Sequence, residues 1–206
     1  SYYKSFWGFC MSQQDRKKVK GKRFFVHINS NFNYNGHLSY GELYLKGKSK
    51  KEILISTYIC HPSMANNEIS GPVVSTFIAK HFKNLNNRYS MRFIFIPETI
   101  GSISYIYKNL RNLKKNVIAS YNLTCIGDEK NYSIILSKYG NALSDLTALE
   151  ALKKLNIKYK KYSYLHRGSD ERQFNSSGVQ IPMTVIMRTK FGSYPEYHTS
   201  LDNFKV

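Results

Sequence analysis

Residues 53 to 72, ILISTYICHPSMANNEISGP, constrain the fold of this chain more than any other stretch. Ile53 to Ile59 is a β-branched and aromatic run of strand length, which predicts a buried strand. Pro62 closes it, because proline has no N–H to offer a ladder. Ser70, Gly71 and Pro72 read as a helix start, with Ser70 as N-cap and proline tolerated in the first turn. This order puts His61 just past the carboxyl end of a strand. It puts Asn66, Asn67 and Glu68 just before a helix N-terminus. In open α/β sheets that edge is where ligands bind. The plain alternative is a tight connection carrying one surface histidine.

The rest of the chain alternates in the same way. Ser12 to Asp15 opens a short basic helix ending near Lys18. Phe24 to Ile28 reads as a short strand, and Asn29 to Gly36 as an asparagine-rich turn. Leu38 to Leu45 alternates like a half-buried strand. Gly47 to Lys51 is a charged turn into the central strand, which predicts hairpin pairing. Val74, Phe77, Ile78 and Phe82 then share one helical face. Further strands are expected at Arg88–Pro97, Val117–Ile126, Asn131–Ser137, Lys158–Tyr164 and Ile181–Met187. Helices are expected from Ser102 to Leu113 and from Asn141 to Leu155, the second with its leucines on the packed side. The pattern predicts a three-layer α/β fold, with a mixed, mostly parallel sheet and helices on both faces.

Composition narrows the class. A chain of 206 residues, 42% hydrophobic and 15% aromatic, can bury the core of one α/β domain spanning 1–206. The first residue is not methionine and the chain stops at Lys205 and Val206, so it reads as a fragment of a longer protein. No apolar run approaches the roughly 20 residues needed to cross a bilayer. Cys10, Cys60 and Cys125 are odd in number and have no CxxC spacing, which predicts a reducing, cytoplasmic setting. Cys60 is either a nucleophile beside a base or a small hydrophobe. The net charge is +18. The lysines are spread along the chain, so a solvated surface is expected, and nucleic-acid binding is not expected of this domain.

Four polar loops interrupt the apolar pattern: CHPSMANNEISG, PETIGS, RGSDERQF and YHTSLDN. Glu98 follows a buried strand and is either a general base or a residue favoured by a helix dipole. His198 is either a metal ligand oriented by Asp202 or a surface histidine. Asp170 either steers a substrate amine or pairs with Arg167 or Arg172.

At these loops the chain resembles an aminopeptidase-like family often encoded near polysaccharide-biosynthesis genes. STYICHPSMANNEISGP, PETIGS, RGSDERQF and YPEYHTSLDN carry that resemblance, which covers nearly the whole chain. It implies a zinc-exopeptidase-like core, usually accompanied by an inserted β domain and a winged helix. More distantly, the family is similar to two-zinc aminopeptidases. The resemblance matches His61 and His198 to metal-binding histidines and Glu98 to the base. Asn67 then stands where an aspartate bridges the two metals. Thr99 stands where a glutamate ligand belongs, and Asn122 where a second aspartate belongs. Ser169 and Asp170 match a pocket motif, and Arg172 is grouped with them as substrate-binding.

Those neutral replacements change the chemistry expected. Two zinc ions about 4 Å apart repel by roughly 20 kcal/mol at an effective dielectric of about 20. Three carboxylates normally offset that, and none remains at the matched positions. A dinuclear centre is therefore not expected. One zinc on His61 and His198 is, with water, Asn67 or a nearby carboxylate such as Glu68 or Asp170. The expected function is metal-dependent hydrolysis of an amide or peptide-like bond in surface polysaccharide metabolism, with a small molecule, peptide or sugar as substrate. The alternative is a catalytically inactive module that binds a sugar or peptide in the same cleft.

Overall fold

The computed structural model describes residues 8–9, 11–21 and 23–206; Cys10 lies outside them. The described residues up to His37 form one unit and Leu38–Val206 another. In the first, Ser12 caps α1 (Gln13–Lys18), its hydroxyl accepting the Asp15 amide at 3.0 Å and donating to the Asp15 carboxylate at 2.7 Å. The strand expected at Phe24–Ile28 does not form. These residues are exposed and pair with no ladder partner, and a strand without one is not stable in water.

The second unit is a mixed seven-stranded sheet in the order β1-β3-β2-β4-β7-β5-β6. Its strands are β1 (Gly41–Leu45), β2 (Ser49–Tyr58), β3 (Tyr89–Ile96), β4 (Val117–Leu123), β5 (Ser133–Ile135), β6 (Lys160–Tyr162) and β7 (Met183–Met187). The β2/β3, β2/β4, β4/β7 and β5/β6 pairs are parallel, while β1/β3 and β5/β7 are antiparallel. The main helices are α2 (Ser70–Lys83), α3 (Ile100–Asn116), α4 (Leu143–Lys154) and α5 (Glu171–Phe174).

The alternation of β2 sorts the core into two layers. Leu54 faces one way and packs with Ile94, Ile96, Tyr105, Ile106 and Leu113, the last three from α3. Ile55 faces the other way, with Phe93 and Leu123, against Val74, Ile78 and Phe82 of α2. Ala148 of α4 lines an apolar groove on that same side with Ile55 and Ile78. The sheet is thus covered on both faces, which is why β2 and β3 are nearly continuous apolar runs. Gly71 lets α2 start against the sheet: a Cβ there would lie 2.3 Å from Thr57 Oγ1 and 2.5 Å from the Leu123 carbonyl.

Three expectations are corrected here. The hairpin between β1 and β2 does not exist, because β3 lies between them. Gly47 carries the chain past the start of β3 so closely that a Cβ would meet the Tyr89 backbone at 2.4 Å. Phe77 is 65% exposed and does not share the α2 stripe. The start of the α4 face turned to the sheet is polar: Asp145 accepts from Ser137 N at 2.7 Å and from Thr184 Oγ1 at 2.7 Å, while Leu143 and Leu146 are exposed and Ala148 is the buried apolar residue. Those hydrogen bonds, not leucine burial, set the rotation of the helix.

Candidate active site

After Tyr58, one more bond ties the chain to β3, Ile59 N to Ile96 O at 3.0 Å, and then Cys60 and His61 leave the sheet. Residues Ala65–Ile69 form a π-helical turn that runs directly into α2. The wider turn buries Asn66, Asn67 and Glu68 together. Ser70 is not its cap. The cap is Asp202, from the far end of the chain. Its carboxylate accepts from Asn66 N at 2.7 Å and from Asn67 N at 3.1 Å, and its carbonyl accepts from Ala65 N at 3.1 Å. Ser70 Oγ instead donates to Asn66 O at 2.5 Å and accepts from Ile126 N at 2.9 Å.

The same cap brings the loop of His198 over that of His61. The two rings lie 5.1 Å apart, edge to face. Tyr197 stacks on His198 at 4.0 Å, and His198 itself sits at φ +57°. Burial, helped by His61, pushes the His198 imidazole below its ordinary pKa, and Glu98 and Asp202 oppose this. The Glu98 charge also acts on Cys60 and Glu68, so the half-buried Glu98 belongs to the same cluster.

Glu68 is 5% exposed. One of its oxygens accepts the Cys60 amide, and the other, Oε2, has no partner. Burial raises its pKa, against the pull of the His61 and Cys60 amides. Burial likewise pushes the Cys60 thiol up to about 11, with the Glu98 amide acting the other way. The ligand atoms of Cys60, His61 and Glu68 all lie within 4.8 Å of one another.

Asp170 is fully buried, accepts Thr99 N at 2.8 Å through Oδ1, and leaves Oδ2 without a partner. Burial pushes its carboxyl up to about 7, and the Thr99 amide and Ser102 hydroxyl oppose that. Thr99 is held at φ +62° and ψ −67°, a costly conformation for a β-branched residue.

Other sequence-predicted residues have different surroundings. Asp202 spends its carboxylate on Asn66, Asn67 and the Tyr194 hydroxyl, the last at 3.0 Å, rather than on orienting His198. Asn67 Nδ2 donates to Tyr58 OH at 2.8 Å and to Cys125 Sγ at 3.5 Å, while its Oδ1 is unpartnered. Asn122 donates to Ser169 Oγ at 3.2 Å and Glu171 Oε2 at 3.4 Å, and its Oδ1 is unpartnered. Thr124, two residues on, is the β4-end group that reaches Tyr58 OH. Ser169 is buried in the Asn122 contact. Arg172 is exposed and lines a different depression of about 550 Å³ with Lys138, Tyr164 and Arg167. Tyr58, Tyr194 and Tyr197 were not singled out by sequence. Their only signal there is adjacency to the strand end and to His198.

A two-ion centre does not fit these residues. The position of the bridging carboxylate is a neutral amide whose nitrogen is already committed, and Thr99 offers no charge. A single cation does fit. The His61 and His198 rings meet edge to face, and Glu68, whose Oε2 is buried and unpartnered, has a ligand atom within 4.8 Å of those of His61 and Cys60.

Residues 17–206 match a family described as a domain of unknown function, DUF4910. The chain belongs to the DUF4910 family. It is 41% identical over 208 residues to a Clostridium acetobutylicum protein with the provisional name polysaccharide biosynthesis protein with aminopeptidase-like domain, covering 98% of this chain and 46% of that one. A crystal structure from Clostridium acetobutylicum, conjecturally named a peptidase, is 40% identical over 100% of this chain and 48% of the other, with a TM-score of 0.86. A zinc aminopeptidase from Bacillus subtilis superposes over 81% of this chain and 44% of its own, with a TM-score of 0.64 at 20% identity. That last likeness shows the fold alone. This DUF4910 chain therefore has the mixed α/β fold of the zinc aminopeptidases and spans about half the length of the relatives it matches. These findings agree with the resemblance carried by the four polar loops.

Proposed function

We propose that this chain carries the active centre of an aminopeptidase-like hydrolase that cleaves an amide or peptide-like bond with the help of one divalent metal ion. The observation that carries this reading is the edge-to-face pair His61 and His198, 5.1 Å apart, with the unpartnered Oε2 of buried Glu68 next to His61. His61 and His198 would hold the ion, zinc by preference for imidazole and oxygen donors, with Asn67 or a neighbouring acid completing it. Bound zinc supplies a Lewis acid and a water that ionises near neutral pH.

The protein's own groups do the rest. Glu98 takes a proton from the attacking water and returns it to the leaving amine, so the nitrogen departs neutral. Asp170 Oδ2, buried and without a partner, accepts a hydrogen bond from a substrate ammonium or amino-sugar N–H once the carboxyl has lost its proton, which burial holds to about pH 7. Thr99 contributes position, because its backbone holds Asp170 and follows Glu98 directly. The name of the 41% identical relative supports a substrate from surface-polysaccharide metabolism, such as an N-acylated amino sugar or a peptide-like linkage. Cysteine usage supports a cytoplasmic setting, Cys60 and Cys125 being free. Among the described residues, no helix is long and apolar enough to cross a membrane.

The test is a pair of assays on zinc-loaded protein, with aminoacyl anilides and N-acetylated amino sugars as probes. Glu98→Gln should lower turnover by about 10²- to 10⁴-fold and leave zinc content unchanged. A wild-type protein that binds these probes but never turns them over would replace the hydrolase with an inactive binding module. The neutral Asn67 and Thr99 are the observation that favours that second reading.

A further inference from the structure

The one-ion reading leaves the full ligand set open, and the following rests on that reading. We propose that the ion is held by a thiolate-containing set, Cys60, His61 and Glu68, with His198 as a weaker, exchangeable fourth ligand. Of these, Cys60 and Glu68 replace the charge lost at Asn67 and Thr99.

Three observations point there. The ligand atoms of Cys60, His61 and Glu68 lie within 4.8 Å of one another, and their residue types are those of zinc sites. Glu68 is built for the task. Its Oε1 is fixed by the Cys60 amide, so the carboxylate is oriented before any ligand arrives, and Oε2 is left buried without a partner. An unpaired carboxylate oxygen in the interior is costly, and a cation is the natural remedy. Asn67, by contrast, can offer only a neutral carbonyl, since its nitrogen is engaged by Tyr58 and Cys125. One thiolate and one carboxylate carry two negative charges, which match a single dication. Cys60 stands at the exposed side, where a ligand can reach it, whereas Cys125 is buried.

Cobalt(II) titration of the metal-free protein tests this by optical absorption, with no need for a substrate. Wild type should show a sulfur-to-cobalt charge-transfer band in the near ultraviolet along with tetrahedral visible bands. Cys60→Ser should lose the ultraviolet band and bind cobalt at least about 100-fold more weakly, since outer partners alone are worth about 10- to 100-fold. Glu68→Gln keeps an oxygen for the Cys60 amide, so it should fold, retain the sulfur band, and lose a similar factor in affinity. Circular dichroism checks both folds. His198→Ala should cost about 10-fold and keep the band. Tight cobalt binding with no sulfur band, unchanged by Cys60→Ser, would overturn this ligand set and leave the one-ion reading intact. Failure of wild type to bind either cobalt or zinc would overturn both.

Discussion

The two ends of the central strands treat buried acid in opposite ways. Along β1, β3 and β2, Glu42 and Glu52 flank Arg92. Arg92 donates to Glu52 at 2.7 and 3.0 Å and also to Glu42, whose second oxygen accepts the Tyr105 hydroxyl at 3.0 Å. All four carboxylate oxygens are used. At the carboxyl ends of β2 and β3, Glu68, Glu98 and Asp170 crowd together. Among the described residues none of them has an ion pair. This happens in a chain with a net charge of +18, so cations are not scarce. The comparison teaches that charge in the body of the sheet is matched from within the fold. Charge at the rim is left for something that comes from outside, a metal ion or a substrate amine.

Removing the internal cation should break the first end most visibly. Arg92→Met leaves Glu52, 2% exposed, without its partner and should destabilise the fold by about 3–5 kcal/mol in urea unfolding. Glu98→Gln at the rim should change stability by less than about 1 kcal/mol, because no partner is abandoned. Equal losses for the two variants would erase the distinction between a structural and an open cluster.

Asp170 sharpens the comparison through pH. Its carboxyl sits at about 7 in the fold against an ordinary 3.8, because burial disfavours its charge. The folded state therefore keeps a proton that the unfolded chain has released across that window. Stability from this group is complete below about pH 4 and is lost as pH rises through about 7. Asp170→Asn keeps the oxygen that accepts Thr99 N and removes the titration. Its unfolding free energy, measured in EDTA, should fall less steeply over that range than that of wild type. The difference has a ceiling of about 4 kcal/mol, at about 1.4 kcal/mol per pH unit. Parallel pH profiles for the two proteins would mean that Asp170 is not held protonated.

How much of this was legible in the sequence follows from the range of the forces involved. β2, β3, α3 and β7 show themselves as local periodicity, and the polar loops as breaks in it. The β1/β3 pairing was not legible, because hairpin logic weighs only sequence distance. The partnership of Glu42, Arg92 and Glu52 is decided by which strand lies between the others. The capping of the π-helical turn was missed for the same reason: Ser70 is the local candidate, but Asp202 reaches the turn from the far end of the chain. The resemblance pointed to His61 and His198, and the structure brings their rings edge to face, 5.1 Å apart. It matched Asn122 to the position of a lost aspartate; Asn122 donates to Ser169, and Thr124, two residues further along, bonds Asn67's partner Tyr58. A strand's period of two makes such an offset keep the face but change the depth.

The smallest expected effect decides whether pairing or burial sets the energies above. Glu150 and Lys154 form an exposed pair on α4, 3.8 Å apart and one helical turn from each other. Both side chains remain solvated in the fold, so removing one partner strands no charge in a low-dielectric interior. Lys154→Ala should therefore change stability by no more than about 0.5 kcal/mol, and 1 M salt should cancel most of that. Arg92→Met should keep most of its cost in the same salt, since its partner Glu52, 2% exposed, is shielded from ions. If Lys154→Ala proved as damaging as Arg92→Met, ion pairing alone would govern stability. The lack of an ion-pair partner for Glu68, Glu98 and Asp170 among the described residues would then no longer argue for a cation from outside.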